Sequence, residues 1–302
     1  MTKYQSKAYP SFIACVDEYL KDVAPEMLPR VGVVGMAGPV QDNKIPVTVN
    51  IPHWPVSDGA EVAKKFKLDS FIFMNDFTAA GYGISRVTPN QCKTLNKSPE
   101  AKIIEGANSV KVVMGPGTGL GQGILVKVDA DGLYEPFPSE GGHVDFTVKN
   151  QDDWDLFVFA QKFIENSNNV ENLRAKGKVG RLSVERLCAG PAVPLIYAFM
   201  KEKHPELEAV LEKSKSFDEI ESKDIIELAI KKKDPLCMKV VEKFTENFGT
   251  EAGNITLKTL PYGGVYLIGG VTAGIEEYLV ESDKFMESFR NKGRLEGFIN
   301  QF

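Results

Sequence analysis

Several features that mark particular classes of protein are scarce in, or absent from, this chain of 302 residues. It has no long run of Lys and Arg and its formal net charge is −5, so no nucleic-acid partner is expected, because phosphate binding needs concentrated positive charge. Its four cysteines, Cys15, Cys92, Cys188 and Cys237, lie far apart and include no Cys-x-x-Cys pair. This spacing argues against a disulfide framework or a structural zinc site and fits a reducing compartment.

Long hydrophobic segments are missing as well. The apolar, uncharged stretch Gly263–Ile275 is too short and too rich in glycine to span a bilayer, and the polar N-terminus does not read as a signal peptide. We therefore expect a cytoplasmic location and no membrane partner. With 43% hydrophobic and 25% charged residues, the composition is typical of a globular protein with a sizeable core.

The predicted elements change in character along the chain. Strands are predicted first, in "RVGVVGMAGPV", "NKIPVTVN", "SFIFMN" and "SVKVVMGPGTGLGQGILVKV", with a hairpin turn at "DADG". Amphipathic helices then dominate, broken by a strand in "GGVYLIGG" and by a polar surface loop over 166–180. The predicted helices are Asp152–Ile164, Ser183–Lys201, Lys223–Ile230, Pro235–Lys258 and the segment "VTAGIEEYLVESDKFMESFRNK". This order favours two α/β lobes.

Three apolar strands run directly into glycine, in "VGVVGMAG", "VVMGPGTGLG" and "VYLIGGV". Backbone amides exposed in a tight glycine turn point at anions, and phosphate is their usual ligand. "GPGTGLG" (115–121) therefore predicts a phosphate contact through Gly117, Thr118 and Gly119, although a glycine-rich hairpin without a ligand is equally compatible. It is neither a Walker A loop nor a dinucleotide fingerprint, because no Gly-Lys-Ser/Thr and no helix follow.

Polar side chains at four other positions are candidates for binding or catalysis. Asn75 and Asp76, at the end of "SFIFMND", either cap the following helix or hold a substrate. Glu140 and His143, in "PSEGGHVDF", flank two glycines and suit the hydroxyls of a sugar. A structural turn or a metal site would use the same residues, but neither other histidine lies at a metal-ligand spacing.

Two further segments are ambiguous when taken alone. Glu185, in "SVERLCAGPAV", suits the first turn of a helix for electrostatic reasons alone. Gly269 and Gly270, which end "GGVYLIGG", could lie against a flat adenine ring or simply form a turn.

Taken in order, the segments MNDFTAAGYGI, GPGTGLGQGIL, PSEGGHVDF, SVERLCAGP and GGVYLIGGV closely resemble the bacterial type of glucokinase family, within the hexokinase–actin–Hsp70 superfamily. The resemblance covers essentially the whole chain. It implies an α/β, two-lobed ribonuclease-H-like fold with a cleft between the lobes, a small lobe over 1–105 and a large lobe over 106–302. It also implies phosphorylation of glucose at its 6-hydroxyl by ATP with Mg²⁺, the first step of glycolysis, in an enzyme that is commonly a homodimer.

The resemblance also assigns roles to individual residues. Asp76 matches the catalytic base. The residues that match the sugar ligands are Asn75, Glu140, His143 and Glu185. The residues that match the nucleotide site are Gly117, Thr118 and Gly119 for phosphate and Gly269 and Gly270 for adenosine. No residue matches a metal ligand.

One motif of the resembled family is not found. Its first phosphate loop, Asp-x-Gly-Gly-Thr, is absent from these residues, and the C-terminal end looks short. We therefore expect an incomplete small lobe. An incomplete gene model or fragment of a normal glucokinase is the favoured explanation, and the alternatives are a truncated chain that barely catalyses and a sugar-binding or regulatory protein without chemistry.

Overall fold

The computed structural model describes residues 2–48, 51–104, 106, 109–128, 132–166 and 181–302. Contacts between residues divide the chain into an N-terminal unit, Met1–Ser85, and a C-terminal unit, Arg86–Phe302. This boundary precedes residue 105, where the sequence places the end of the small lobe. Residues 86–104 are grouped with the later part of the chain because their backbone is bonded there, as in the hydrogen bond that Ile104 donates to the Tyr262 carbonyl at 2.7 Å.

The N-terminal unit is built on a parallel pair of strands. Its elements are β1 (Val31–Met36), β2 (Lys44–Ile45), β3 (Ser57–Asp58), β4 (Ser70–Asn75), α1 (Phe12–Lys21), α2 (Gly59–Phe66) and α3 (Asp76–Ile84). Strands β1 and β4 pair in parallel, with Val31 opposite Ser70 and Met36 opposite Asn75. The predicted strand "NKIPVTVN" is wrong in extent, because only Lys44–Ile45 is a strand in its described part. Pro46 follows directly and has no N–H for a ladder hydrogen bond.

One face of this strand pair is packed and the other is largely exposed. Phe12 of α1 contacts Phe71 and Phe73 of β4, with ring centroids 5.7 Å and 5.0 Å apart. On the opposite face Val33 and Ile72, which are register partners, are 58% and 46% exposed. The alternation of side chains along a strand puts the aromatic residues into the core and leaves these β-branched residues in solvent.

The C-terminal unit contains a four-stranded sheet of order β7-β6-β5-β8. The strands are β5 (Val110–Pro116), β6 (Leu120–Lys127), β7 (Tyr134–Ser139) and β8 (Val265–Leu267). Strand β8 is parallel to β5, whereas β5–β6 and β6–β7 are antiparallel. The predicted strand–turn–strand at "GPGTGLG" is confirmed. Most of the "DADG" turn and most of the predicted loop 166–180 lie outside the described residues.

Helices provide most of the core of the C-terminal unit. They are α4 (Gln151–Asn166), α5 (Ala192–Lys203), α6 (Ser222–Lys232), α7 (Pro235–Thr259), α8 (Gly270–Gly274), α9 (Glu276–Glu281), α10 (Lys284–Arg290) and α11 (Glu296–Ile299). The predicted helix over 183–201 has a break at Gly190-Pro191, as that pair of residues predicts, whereas the prediction of one helix in "VTAGIEEYLVESDKFMESFRNK" is wrong. The first is interrupted between Leu187 and Ala192 and the second is broken into three short helices.

The long helix α7 is fixed at its start and along one face. Asp234 caps it by accepting a hydrogen bond from the Cys237 N–H at 2.9 Å, and Pro235 occupies its first turn. A Cβ at Gly249 or Gly253 would overlap the carbonyl oxygen of Phe285 or Phe289 in α10. The two glycines therefore allow the backbones of α7 and α10 to approach closely.

Candidate functional site

The strand-to-helix corner of the N-terminal unit carries Asn75 and Asp76. Asn75 Oδ1 accepts hydrogen bonds from the N–H groups of Phe77 and Thr78 at 2.9 and 3.3 Å, and its amide donates to the Gly38 carbonyl at 3.3 Å. Asn75 is therefore the cap of α3. Asp76 is exposed, and one of its carboxylate oxygens accepts from the Phe77 N–H at 3.0 Å. An exposed carboxylate at a rigid corner is available to accept a proton.

In the C-terminal unit, the glycine-rich turn between β5 and β6 is tied to two other elements. The Gly117 N–H donates to the Gly119 carbonyl at 2.8 Å, while the Gly117 carbonyl accepts from the Gly190 N–H at 2.7 Å. Ser222, the first residue of α6, donates through its hydroxyl to the Gly190 carbonyl at 2.6 Å. These bonds hold the turn, the break before α5 and the start of α6 in one arrangement.

Glu185 lies against the same turn. It belongs to a short 3₁₀ helix, Val184–Leu187, and its Oε2 accepts a hydrogen bond from the Leu120 N–H at 2.9 Å. A Cβ at Gly119 would lie 2.5 Å from this oxygen. The prediction that Glu185 sits in the first turn of a helix is confirmed, and the structure adds a contact with the turn 65 residues earlier.

Glu140 and His143 lie on a tight 3₁₀ turn after β7. Their side chains are 91% and 57% exposed, and His143 Nε2 is 3.6 Å from Glu140 Oε2. The intervening Gly141 and Gly142 are tightly packed, since a Cβ at Gly142 would overlap the Leu120 carbonyl oxygen and one at Gly141 the Gln122 side chain. The turn can take this position because both residues are glycine.

Backbone hydrogen bonds place the Glu140–His143 turn next to the Glu185 segment. The Val184 N–H donates to the Val144 carbonyl at 2.8 Å, and the Phe146 N–H donates to the Leu182 carbonyl at 2.9 Å. Glu140, His143, Glu185 and the turn 117–119 therefore gather at one end of β6. No contact between them could be inferred from their spacing in the sequence.

A cavity of about 490 Å³ opens beside the glycine-rich turn. It is lined by Gly117, by Ser222 and Ile226 of α6, and by Gly270 and Val271 at the start of α8. Gly269 has φ +97°, and a Cβ there would lie 2.9 Å from the Pro116 carbonyl oxygen. The structure thus brings Gly117 and Gly270 to the same cavity.

Four contributors to this region were not singled out in the sequence. Ser222 and Ile226 belong to α6, and the sequence of that segment shows a helical pattern but nothing that marks these two residues as part of a site. Gln122 stands alone between two glycines of β6, and Glu251 lies in the apolar helix α7; both are buried polar residues, at 3% and 2% exposure. A carboxylate inside an apolar helical pattern was the available signal for Glu251, because such groups need a partner when buried.

The described residues show neither a metal-ligand cluster nor a membrane-spanning helix. Within the described ranges, no three His, Cys, Asp or Glu side chains come together in a way that could hold a metal ion. The described helices include none that is both long and apolar enough to cross a bilayer.

Comparison with known proteins gives consistent matches over the whole chain. The family model described as Glucokinase matches residues 1–302. A glucokinase of Nostoc sp. (strain PCC 7120) is 31% identical over 308 residues, which is 97% of this chain and 82% of that protein. The crystal structure of a glucokinase from an Antarctic psychrotroph superposes with a TM-score of 0.72 at 24% identity, covering 99% of this chain and 81% of the other. A ROK family glucokinase from Streptomyces griseus, solved with glucose and AMPPNP, superposes with a TM-score of 0.60 at 20% identity, covering 93% and 78%.

Proposed function

The chain belongs to the glucokinase family and phosphorylates glucose, and we propose that Asp76 is the base and that the cluster at the end of β6 holds the sugar and the nucleotide phosphates. One observation carries the proposal. Hydrogen bonds join the segments that carry the candidate sugar ligands Glu140, His143 and Glu185 to one another and to the turn 117–119. Gly117 of this turn also lines the 490 Å³ cavity.

The sugar is recognised by carboxylate and imidazole groups that bond hydroxyls. Glu140 and His143 present largely exposed side chains from a rigid turn. Glu185 uses one oxygen for the Leu120 N–H, and a carboxylate retains further lone pairs for a hydroxyl. A site built from such groups rejects analogues that lack the matching hydroxyls, because its own polar groups would then lose their partners.

The nucleotide lies in the cavity with its phosphates at the glycine-rich turn. Gly117, Gly270, Ile226 and Val271 all line this cavity, so adenosine packs along Ile226 and Val271 while the phosphates lie at the turn and meet the amides of Thr118 and Gly119. The Gly117 N–H is bonded to the Gly119 carbonyl. ATP is the phosphoryl donor, a choice that the AMPPNP complex of the Streptomyces griseus relative supports.

Mg²⁺ is proposed to accompany the nucleotide. Since the described residues offer no cluster of metal ligands, it would be held chiefly by phosphate oxygens and water. When bound, it neutralises charge on the phosphoryl group during transfer.

Proton transfer is assigned to Asp76. As the 6-hydroxyl oxygen of glucose forms its bond to the γ-phosphorus, its proton passes to the Asp76 carboxylate, and the bond from phosphorus to the bridging oxygen of ADP breaks. Asn75 fixes the corner by capping α3, and beyond its bond to the Gly38 carbonyl it retains one amide hydrogen to donate to the sugar.

A second candidate, a sugar-binding or regulatory protein of low activity, is favoured by one observation, the absence of Asp-x-Gly-Gly-Thr from the sequence. The predicted homodimer and cytoplasmic location stay predictions. Purified protein is to be assayed for glucose 6-phosphate formed from ATP and glucose, and each ligand titrated separately by calorimetry with Mg²⁺ present. If the parent protein turns over and Glu185→Gln reduces this turnover, the proposed site is supported. Glucose binding without turnover supports the second candidate.

A further inference from the structure

A row of buried and half-buried polar side chains lies beneath the Glu140–His143 turn. Gln122 of β6 donates from Nε2 to Glu251 Oε1 of α7 at 2.9 Å. The second Glu251 oxygen accepts from Asn254 Nδ2 at 3.0 Å, and Asn254 Oδ1 accepts from Lys292 Nζ at 2.9 Å. The row thus runs from a half-buried ammonium group to the strand on which the turn rests.

Gln122 is in direct contact with the turn. A Cβ at Gly141 would overlap Gln122 Oε1, so the Gln122 amide fills the space under this glycine. The Gly141 N–H donates to Ser139 Oγ at 3.0 Å, and Ser139 is the register partner of Gln122 on the neighbouring strand. Any shift of the Gln122 amide therefore displaces the backbone that carries Glu140 and His143.

Glu251 determines where that amide sits. A buried carboxylate requires hydrogen-bond donors for its oxygens, and here Gln122 and Asn254 supply one donor to each oxygen. The glycines on the other side of α7 pack against α10, so the helix cannot move away from β6 to relieve a mismatch. A satisfied buried network of this kind specifies one geometry even where apolar residues would fill the same volume.

We propose that Gln122 and Glu251 are positioning residues for glucose: together they fix the height of Gly141 and hence the placement of Glu140 and His143. This inference rests on the proposed function, in which these two side chains bond the sugar. Neither Gln122 nor Glu251 touches the reacting atoms.

An exchange of the two side-chain types tests the pair. Gln122→Glu sets two buried carboxylates against each other, and we expect the KM for glucose to rise about tenfold to a hundredfold, the scale of a misplacement near 1 Å. Adding Glu251→Gln restores the hydrogen bond with donor and acceptor reversed and keeps an oxygen under Gly141. The double variant should return the KM for glucose to within about threefold of the parent, while the KM for ATP stays near its original value throughout.

Three other variants keep the test decisive. Gln122→Met, of similar volume and uncharged, should also raise the KM for glucose and serves if Gln122→Glu does not fold. Thr256→Val removes a buried hydroxyl elsewhere in α7, whose only bond described is to the Ala252 carbonyl of the same helix, and should leave the KM for glucose unchanged. Glu140→Ala tests the turn itself.

The outcomes separate the inference from the function on which it rests. If Glu140→Ala weakens glucose binding but folded Gln122→Glu or Gln122→Met does not, the positioning role is overturned and the sugar site stands. If Glu140→Ala has no effect, the sugar site itself is wrong. If the double variant does not restore the KM for glucose, the proposed pairing of Gln122 with Glu251 is overturned as well.

Discussion

Glu185 occupies the space in which a side chain at residue 119 would lie: a Cβ added to Gly119 would be 2.5 Å from Glu185 Oε2. The same oxygen accepts the Leu120 N–H at 2.9 Å, so the carboxylate cannot retreat without losing that bond. Gly119→Ala is therefore expected to push Glu185 from its place and to distort the turn.

The expected result for Gly119→Ala is a rise in KM for both glucose and ATP of about tenfold or more, because one side chain of the sugar site and one loop of the nucleotide site move together. Steady-state kinetics in both substrates checks it. Gly297→Ala is the matched control, since a Cβ there meets nothing within 4 Å. A rise in only one of the two KM values would contradict the shared contact.

Asp76→Asn tests the base. The variant retains an oxygen for the Phe77 N–H, so folding and glucose affinity should be kept within a few-fold while turnover falls by a factor on the order of 10²–10⁴. Kinetics, glucose calorimetry and a thermal melt together check it. Unfolding of the variant would instead assign Asp76 a structural role, and unchanged turnover would remove it from the chemistry.

Gly270→Leu tests the nucleotide cavity. A Cβ at Gly270 meets nothing within 4 Å, and the residue lines the cavity with Gly117. The larger side chain should occupy volume intended for adenosine and raise the KM for ATP by about tenfold or more, with glucose affinity unchanged. Competition by ADP should weaken in parallel. Equal KM values for ATP in variant and parent would place the nucleotide elsewhere.

The lowered pKa of Lys292 predicts that the stability of the protein depends on pH. Burial, and then the charge of Lys149, lower the pKa of Lys292 from 10.5 to about 8. Between these two values the unfolded chain binds the proton that the folded chain has released, so the contribution of Lys292 to the free energy of unfolding rises with pH. Below pH 8 the cost of holding the charged group is fully present.

Urea denaturation of the parent and of Lys292→Met from pH 7 to pH 10 measures this contribution. The parent should gain stability relative to the variant as the pH increases above 8. A constant difference across that range would show that Lys292 titrates alike in both states.

Replacing Lys243 by an uncharged residue is expected to cause a large loss of stability. It is 2% exposed and donates to Asp152 and Asp153, each at 2.7 Å, and Asp153 is fully buried. Lys243→Met removes the nearer cation of the buried Asp153 carboxylate and leaves Lys149 Nζ at 3.7 Å, so it should cost about 3 to 5 kcal/mol of unfolding free energy. Lys213→Met, in an exposed pair with Glu208, should change it by no more than about 1 kcal/mol.

Much of the local structure follows from residues close together in the chain. The turn at 117–119 was predictable because glycines interrupt two β-branched runs, and α7 because Asp234 and Pro235 start an apolar helical pattern. The strand around Lys44 and the helix after Val271 were overestimated. The periodic pattern continues past Pro46, which cannot donate a strand hydrogen bond. It also continues past Gly274, where the helix ends.

The sequence by itself determined the family, the order of the glycine-rich segments and the chemical types of the candidate ligands, since these depend on residue identity and local spacing. Only the tertiary structure decided that Glu185 meets Leu120, that Gly117 and Gly270 line one cavity, and that Gln122 links Glu251 to the turn beneath the sugar ligands. Those pairs are joined across 65 to more than 100 residues by sheet pairing and helix packing. Their contacts depend on how the whole C-terminal unit closes its core, which no local pattern encodes.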